Sequence, residues 1–361
     1  MERKIRDISI LVNTKINTLC LNNYTYISTE NLIPNFGGIT KASSIPLGNV
    51  TEFKIGDTLL SNIRPYFKKI YYAKFHGGCS NDVLVIRPKN VLDKYLFYAL
   101  NNEDFIKYYV ASCKGTKMPR GNKDALLDWT INVPSIQEQQ HIVNTIGSLD
   151  DLIENYQKRV SKTCDLLSIS LKKYQNKTTI DFYNPKIIKS GITTFDKTKV
   201  YTDTSIIEGI NNMSDGEVIT FNNRPSRANM QPIKNSIWFA KMKDSNKKLI
   251  ITNNDLDLID NYILSTGYLG VEASSKLPLS LLSAMIISSD FNEQRDLNSV
   301  GTTMAGINNE TFLKILVPKL SDEDIFEFDK KYSCYIDELS LLRKKINSLK
   351  SIKFNLLDKY F

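Results

Sequence analysis

The chain repeats itself at a separation of 186 residues, and this repeat limits its architecture more than any other feature. Gly115-Thr116-Lys117-Met118 returns as Gly301-Thr302-Thr303-Met304. Leu171-Lys172-Lys173-Tyr174 returns as Leu357-Asp358-Lys359-Tyr360, and Ser135 and Ser321 each open a long periodic segment. A chain ordered as block, helix, block, helix is a two-armed object, suited to reading two separated sites on one partner. A length of 361 residues fits two domains or two copies of one.

The periodic segments are readable as helices from their first residues. Ser135 followed by Glu138 is a capping box, and Pro134 stops the strand before it. Ile142, Ile146, Leu149, Ile153, Tyr156, Val160, Thr163, Leu167, Ser170 and Tyr174 then follow in alternating steps of four and three, a heptad seam. Shifted by 186, Ser321 and Asp324 form the second cap. The seam becomes Phe328, Tyr332, Tyr335, Leu339, Leu342, Ile346, Leu349, Lys353, Leu356 and Tyr360. Lys353 is out of character there, and Ile352 beside it is expected to fill in. Each helix of about 40 residues would be a rod of roughly 60 Å. Two such stripes in one chain most simply bury each other, either as a spacer of fixed length or as a helical hairpin within a larger core.

The resulting division is a first globular domain over 1–134, a spacer helix over 135–180, a second domain over 181–318 and a second spacer helix over 319–361. The fold class is α+β: two mixed α/β domains separated by two long helices that form an antiparallel coiled coil, with an internal pseudo-two-fold repeat.

In the first block, the Gly56-Asp57 turn leads into an apolar strand, Thr58-Leu59-Leu60-Ser61, and then into a basic loop with aromatics from Asn62 to Ile70. Val83–Ile86 reads as a buried strand and Tyr95–Leu100 as a short helix on the sheet. In the second block, residues 236–249 align with 57–70 at a separation of 179. This alignment pairs Arg64 with Lys243, Lys68 with Lys247 and Lys69 with Lys248.

The net charge of +8 favours a polyanionic partner, although a lysine-rich surface from an AT-rich genome would give the same balance. Lysine and arginine neutralise phosphates, and arginine or asparagine can read base edges. The candidate DNA contacts are therefore Arg64, Lys68, Lys69, Lys114, Thr116, Lys117, Arg120 and Lys123 in the first block. In the second they are Arg224, Arg227, Lys241, Lys243, Lys247, Lys248 and Thr302. The glycines of the Gly-Thr loops would let backbone N–H groups approach a phosphate.

Catalytic signatures are missing. No GxxxxGK[ST] loop is present, nor an Asn/Asp-Pro-Pro-Tyr/Phe tetrapeptide with a cofactor turn. The two histidines, His76 and His141, exclude a histidine-dense metal or acid–base site, and Glu52-Phe53-Lys54 lacks the upstream aspartate of a nuclease motif. No catalytic residue and no metal ligand is expected. The five scattered cysteines read as reduced thiols of a cytoplasmic protein. The charged N-terminus does not read as a signal peptide, and no run is long enough to span a membrane.

Three stretches resemble the DNA specificity subunits of type I restriction-modification systems. They are Gly56–Pro65, Val133-Pro134-Ser135-Ile136-Gln137-Glu138-Gln139-Gln140 and the heptad helix after it. The resemblance covers nearly the whole chain, and the two-fold repeat is its most specific element. It implies two target recognition domains, each reading one half of a bipartite DNA sequence, with the helices setting the unread gap. It implies double-stranded DNA, two methyltransferase subunits and up to two restriction/translocase subunits as partners. S-adenosylmethionine, Mg²⁺ and ATP would be bound by those partners and none by this chain. The second helix opens Pro318-Lys319-Leu320-Ser321-Asp322-Glu323-Asp324, without the Glu-Gln pair. A partner contact made by Glu138-Gln139 need not have an equivalent there, and the two half-sites are expected to differ. Two alternatives stay open: a specificity subunit serving a fused methyltransferase-nuclease, and a coiled-coil adaptor that binds proteins.

Overall fold

The structure is a computed structural model and describes residues 1–115, 117–213, 216–301 and 305–361. It divides into two units, Met1–Leu152 with Lys350–Phe361, and Ile153–Leu349. The division falls inside both long helices, so each helix contributes residues to each unit.

The first unit contains strands β1 (Glu2–Lys4), β2 (Ser9–Leu11), β3 (Lys15–Asn17), β4 (Tyr26–Ile27), β5 (Asn49–Phe53), β6 (Thr58–Ser61), β7 (Ile70–Tyr72), β8 (Gly77–Cys79), β9 (Val83–Pro88) and β10 (Thr130–Asn132). Its helices are α1 (Ile5–Ile8), α2 (Asp93–Leu100), α3 (Glu103–Ala111), α4 (Lys123–Asp128) and the start of α5 (Ile136–Ser170). Two four-stranded sheets run β2-β9-β6-β7 and β3-β5-β8-β4, and β1 pairs with β10. Every residue of β6 is buried because both faces of the strand are covered. Leu60 packs with α2 and α3, while Leu59 packs with Phe53, Val83 and Val85. That is the continuous apolar run expected of a strand covered on both sides.

The second unit is built to the same plan. Its strands are β11 (Lys177–Thr179), β12 (Lys186–Ile187), β13 (Lys199–Thr202), β14 (Ile207–Glu208), β15 (Asn212–Met213), β16 (Glu217–Ile219), β17 (Ala228–Met230), β18 (Ser236–Ala240), β19 (Lys248–Ile251), β20 (Tyr262–Ser265), β21 (Tyr268–Glu272) and β22 (Leu316–Pro318). Its helices are α6 (Leu256–Asn261), α7 (Leu279–Ile287), α8 (Ser289–Leu297), α9 (Asn309–Leu313) and the start of α10 (Asp322–Tyr360). The sheets run β12-β21-β18-β19 and β16-β13-β20-β17, with β11 paired to β22. In β18, Ile237 and Phe239 face the core shared with α7, while Trp238 and Ala240 face the other side. From α2 onward every element of the first block recurs 186 residues later: α2 as α7, α3 as α8, α4 as α9 and β10 as β22.

Both expected caps form. The Ser135 backbone N–H donates to Glu138 Oε2 at 2.9 Å, and Glu138 N–H donates back to Ser135 Oγ at 3.3 Å. At the second helix, Asp324 N–H donates to Ser321 Oγ at 3.1 Å. The seam positions are all buried or half-buried, and much of their partner surface is the globular core. In the first unit Ile142, Val143, Ile146 and Leu357 join the cluster of α2 and α3. In the second, Leu167 and Leu171 together with Phe328, Tyr332, Ile336 and Leu339 join the cluster of α7 and α8. Leu171 and Leu357 are the repeat-related pair noted in the sequence, and each closes one core.

Within each unit α5 and α10 touch through side chains. In the second, Arg159 pairs with Glu338, and Lys345 lies over the Tyr156 ring at 5.6 Å. In the first, Lys353 Nζ reaches Asp150 at 2.6 Å. This corrects one expectation. Ile352 does not fill the seam and is 47% exposed. Lys353 itself occupies the position, because Asp150 and the Tyr98 hydroxyl, which donates to Asp150 Oδ2 at 2.7 Å, give its ammonium a partner there.

A second correction concerns the Glu-Gln pair. Glu138 is engaged in the cap, and Gln139 is buried at 1% exposure. Gln139 Oε1 accepts from Leu92 N–H and its Nε2 donates to the Pro134 carbonyl. Gln139 therefore ties the head of α2 to the head of α5 and is not presented to a partner.

Candidate nucleic-acid interface

In the first unit the loop after β6 and the loop between α3 and α4 are laced together by backbone hydrogen bonds. Arg64 N–H donates to the Pro119 carbonyl at 2.8 Å, and Gly121 N–H to the Asn62 carbonyl at 3.0 Å. Lys114 and Arg120 exchange a reciprocal pair at 3.0 Å. Gly121 is required there, since a Cβ would fall 2.0 Å from the Tyr109 ring. Tyr109 in turn donates its hydroxyl to Asn62 Oδ1 at 2.7 Å, fixing the floor of the site. Arg64 and Lys68 both sit at positive φ, at 49° and 53°, so the segment between β6 and β7 is tightly turned.

The rim that results is basic and open. Lys114, Arg120, Lys123, Asn62, Gly121 and Asn122 line a groove of about 300 Å³. Lys114, Lys117 and Lys123 are exposed, as are Tyr66, Phe67 and Met118. Arg120 is oriented by Asp82 at 2.9 Å. The Nε of half-buried Arg64 has no hydrogen-bond partner among the described residues. Two other candidates are already engaged. Lys68 is paired with Glu103, and Lys69 donates to the Thr29 carbonyl at 2.6 Å. Burial holds the Lys69 ammonium below the ordinary lysine range.

The second unit repeats the lacing with other side chains. Lys243 N–H donates to the Ala305 carbonyl at 2.9 Å, and Ile307 N–H to the Lys241 carbonyl at 3.0 Å. Val300 and Gly306 exchange the reciprocal pair. Lys243 is exposed, whereas Lys241 is committed to the Thr266 carbonyl at 2.9 Å and Lys247 to the Thr204 carbonyl at 2.5 Å. Burial also pushes Lys241 down. Arg227 is exposed, and Arg224 is folded over the Phe221 ring at 3.9 Å.

Lys248 requires a correction. It is fully buried, so it cannot touch DNA. The reason is a one-residue difference in loop length. Ser61 N–H bonds to the Lys69 carbonyl and Ala240 N–H to the Lys247 carbonyl, so Lys247 stands where Lys69 does and Lys248 stands where Ile70 does. Lys248 Nζ donates to Asn246 Oδ1 at 2.9 Å and Asn292 Oδ1 at 2.8 Å. Burial, reinforced by Arg295, pushes it down to about 7. Thr116 and Thr302 lie outside the described residues. Asn62, Asn122, Met242 and Val300 were missed as rim residues. The change of repeat separation from 179 to 186 between the two loops is the sequence signal that brackets them.

Among the described residues, no group of three or more histidine, cysteine, aspartate or glutamate side chains could hold a metal ion. No helix there is long and apolar enough to cross a membrane.

A basic, open rim carried on a mixed α/β block is the build of a domain that grips a polyanion. Residues 2–162 match the family described as type I restriction modification DNA specificity domain. A stretch of 110 residues is 29% identical to the type I restriction enzyme EcoDI specificity subunit of Escherichia coli, covering 30% of this chain and 24% of that protein. A stretch of 182 residues is 25% identical to the HindI specificity subunit of Haemophilus influenzae, covering 48% of this chain and 39% of that one. The matched stretches thus span well under half the length of these curated relatives. The S subunit of a type I restriction-modification system from M. genitalium superposes over 100% of this chain and 96% of its own, with a TM-score of 0.51 and 15% identity, a likeness of fold alone. Residues 2–162 are thus similar to the type I restriction-modification DNA specificity domain, and the likeness of the rest of the chain is one of fold.

Proposed function

We propose that this chain is the non-catalytic DNA-specificity subunit of a type I restriction-modification complex, each unit reading one half of an asymmetric bipartite target. The observation that carries the reading is the shared rim. One backbone frame occurs twice in the chain with a different set of exposed side chains each time. A common frame with divergent side chains is what two related but unequal half-sites demand of their readers.

In this reading α5 and α10 pack antiparallel as a coiled coil, and their length sets the unread gap. DNA turns once in about 34–36 Å, so rods of 35 and 39 residues are on the right scale. Two methyltransferase subunits and up to two restriction/translocase subunits would be the protein partners. They would carry S-adenosylmethionine, Mg²⁺ and ATP. Cytoplasmic residence follows from that role.

The test is modified-base sequencing of a host genome with and without the gene. Loss of one methylated motif with two half-sites and a fixed gap is the expected result. An unchanged methylome in a host whose methyltransferase is active would refute the reading. Inserting seven residues after Val160 and seven after Ile346 should lengthen the gap and leave both half-sites unchanged.

A further inference from the structure

What separates the two half-sites can be read from the rims, given the DNA-reading function proposed above, on which the inference rests. Because the same hydrogen bonds lace both rims, positions can be matched one to one. Arg64 matches Lys243, so a cation is retained at that point of the frame. Lys114 and Arg120 match Val300 and Gly306, and Ile63 matches Met242. Met242 and Val300 each bridge to Gly306, and they are 44% and 64% exposed. Two uncovered apolar side chains thus flank a residue with no side chain, where the first unit has two cations beside the apolar Ile63.

A phosphate asks for a cation in both units, because every phosphate is alike. A base edge asks for chemistry that varies with the sequence. Lysine and arginine only donate, so they suit an edge that only accepts, and in the major groove that is guanine N7 and O6. Valine and methionine donate nothing. The base feature they suit is the C5 methyl of thymine.

We propose that Arg64 and Lys243 are the shared phosphate anchors and that the specificity-determining residues are Lys114 and Arg120 in the first unit and Val300 and Met242 in the second. The first half-site then carries guanine opposite Lys114 and Arg120, and the second carries thymine against Val300 and Met242. Arg120 is oriented by Asp82 before DNA arrives.

The experiment is modified-base sequencing in a host carrying the methyltransferase with the native chain, with Val300→Lys or with Lys114→Val. Val300→Lys should change the second half-site alone, at a thymine, and Lys114→Val should relax a guanine in the first alone. A motif unchanged by Val300→Lys, or altered in the wrong half, would overturn the assignment. Absence of any bipartite motif with the native chain would overturn the DNA-reading function itself and the assignment with it. A second measurement needs no variant: the native chain with its methyltransferase is titrated with duplexes in which uracil replaces thymine in the second half-site. Removing one contacted methyl should weaken binding about fourfold, and equal affinity at every thymine would overturn the assignment.

Discussion

Gln139 answers the backbone N–H of Leu92, with its Oε1 3.0 Å from that nitrogen. At the matched positions of the second unit stand Pro278, which has no N–H, and Ile325, which is buried in the core. The two differences are one: where the donor disappears, so does its acceptor. Gln139→Ile should therefore destabilise the first unit by about 1–3 kcal/mol, the cost of a buried unpaired donor. Leu92 has φ of −67°, which proline accepts without strain. Adding Leu92→Pro to Gln139→Ile should recover most of the loss in denaturant unfolding. Equal stability of the single and double variants would refute the coupling.

The salt dependence of DNA binding separates cations that face DNA from cations that hold the fold. Lys117 and Lys123 are exposed. Replacing both by alanine should lower the slope of log affinity against log salt by about 2, close to one for each phosphate no longer neutralised. Lys69→Ala should leave the slope alone and cost stability instead, since its ammonium already serves the Thr29 carbonyl. A slope unchanged by the double variant would move the interface off this rim.

Lys248 gives the second unit a dependence on pH. Burial first, then Arg295, pushes its ammonium down to about 7 from an ordinary value of 10.5. Below pH 7 both folded and unfolded chains hold the proton, and the penalty of burying the charge is complete. Between 7 and 10.5 the unfolded chain binds more protons, so stability rises with pH across that window. Unfolding of the native chain at pH 6.5 and pH 9 should show a gain of roughly 2–4 kcal/mol. Lys248→Met should lose that gain and be the more stable protein at the lower pH. A variant with the native pH profile would count against the buried ammonium as its source.

Asp255 acts at the acid end. It is fully buried, against Arg343 at 2.6 Å, and accepts from Ser340 Oγ at 2.6 Å and Thr252 N–H at 2.8 Å. Burial alone would raise its pKa. Arg343 and these hydrogen bonds outweigh burial and hold it at about 2. Because the folded value is depressed, the stabilisation is complete above about pH 4 and is lost as pH falls toward 2. Arg343→Met should cost about 3–5 kcal/mol at neutral pH by stranding the carboxylate. It should also flatten the acid limb of the stability curve, and an unaltered acid limb would assign that limb to other carboxylates.

The helices, their caps and their seam were legible because periodicity and capping are local, and residues four apart on one face declare a buried stripe wherever its partner lies. What each stripe packs against was not local. Leu171 and Leu357 advertise a repeat, but only the folded chain shows that each closes one globular core. The rim was half legible. Lys247 and Lys248 are adjacent cations, and a loop one residue shorter decides which of them is exposed. Both alignments put lysine opposite a basic residue, so composition could not choose between them. A partner contact through Gln139 stayed open in the sequence for a similar reason, since a glutamine that bonds inward looks the same in sequence as one that bonds outward.

Tyr98, Asp150 and Lys353 form a polar cluster in the first unit, and the matched residues of the second are Ala284, Ile336 and Leu167, all buried. Three positions contributed by three helices have changed character together, which points to one interacting set. The Lys353 side chain is 18% exposed and that of Asp150 34%, so each charge is partly desolvated and depends on the other. Burial, with Asp150 next, pushes the Tyr98 hydroxyl up, so it stays protonated and donates. Lys353→Leu alone leaves Asp150 facing Tyr98 without its cation, and Asp150→Ile alone leaves the ammonium without its anion. Each should cost about 1–3 kcal/mol. The double variant carries the pair found in the second unit and should cost less than the sum, with a coupling of about 0.5–3 kcal/mol in a double-mutant cycle. Strict additivity would mean that the two side chains act separately and that the ion pair contributes nothing to holding the end of α10 on the first core.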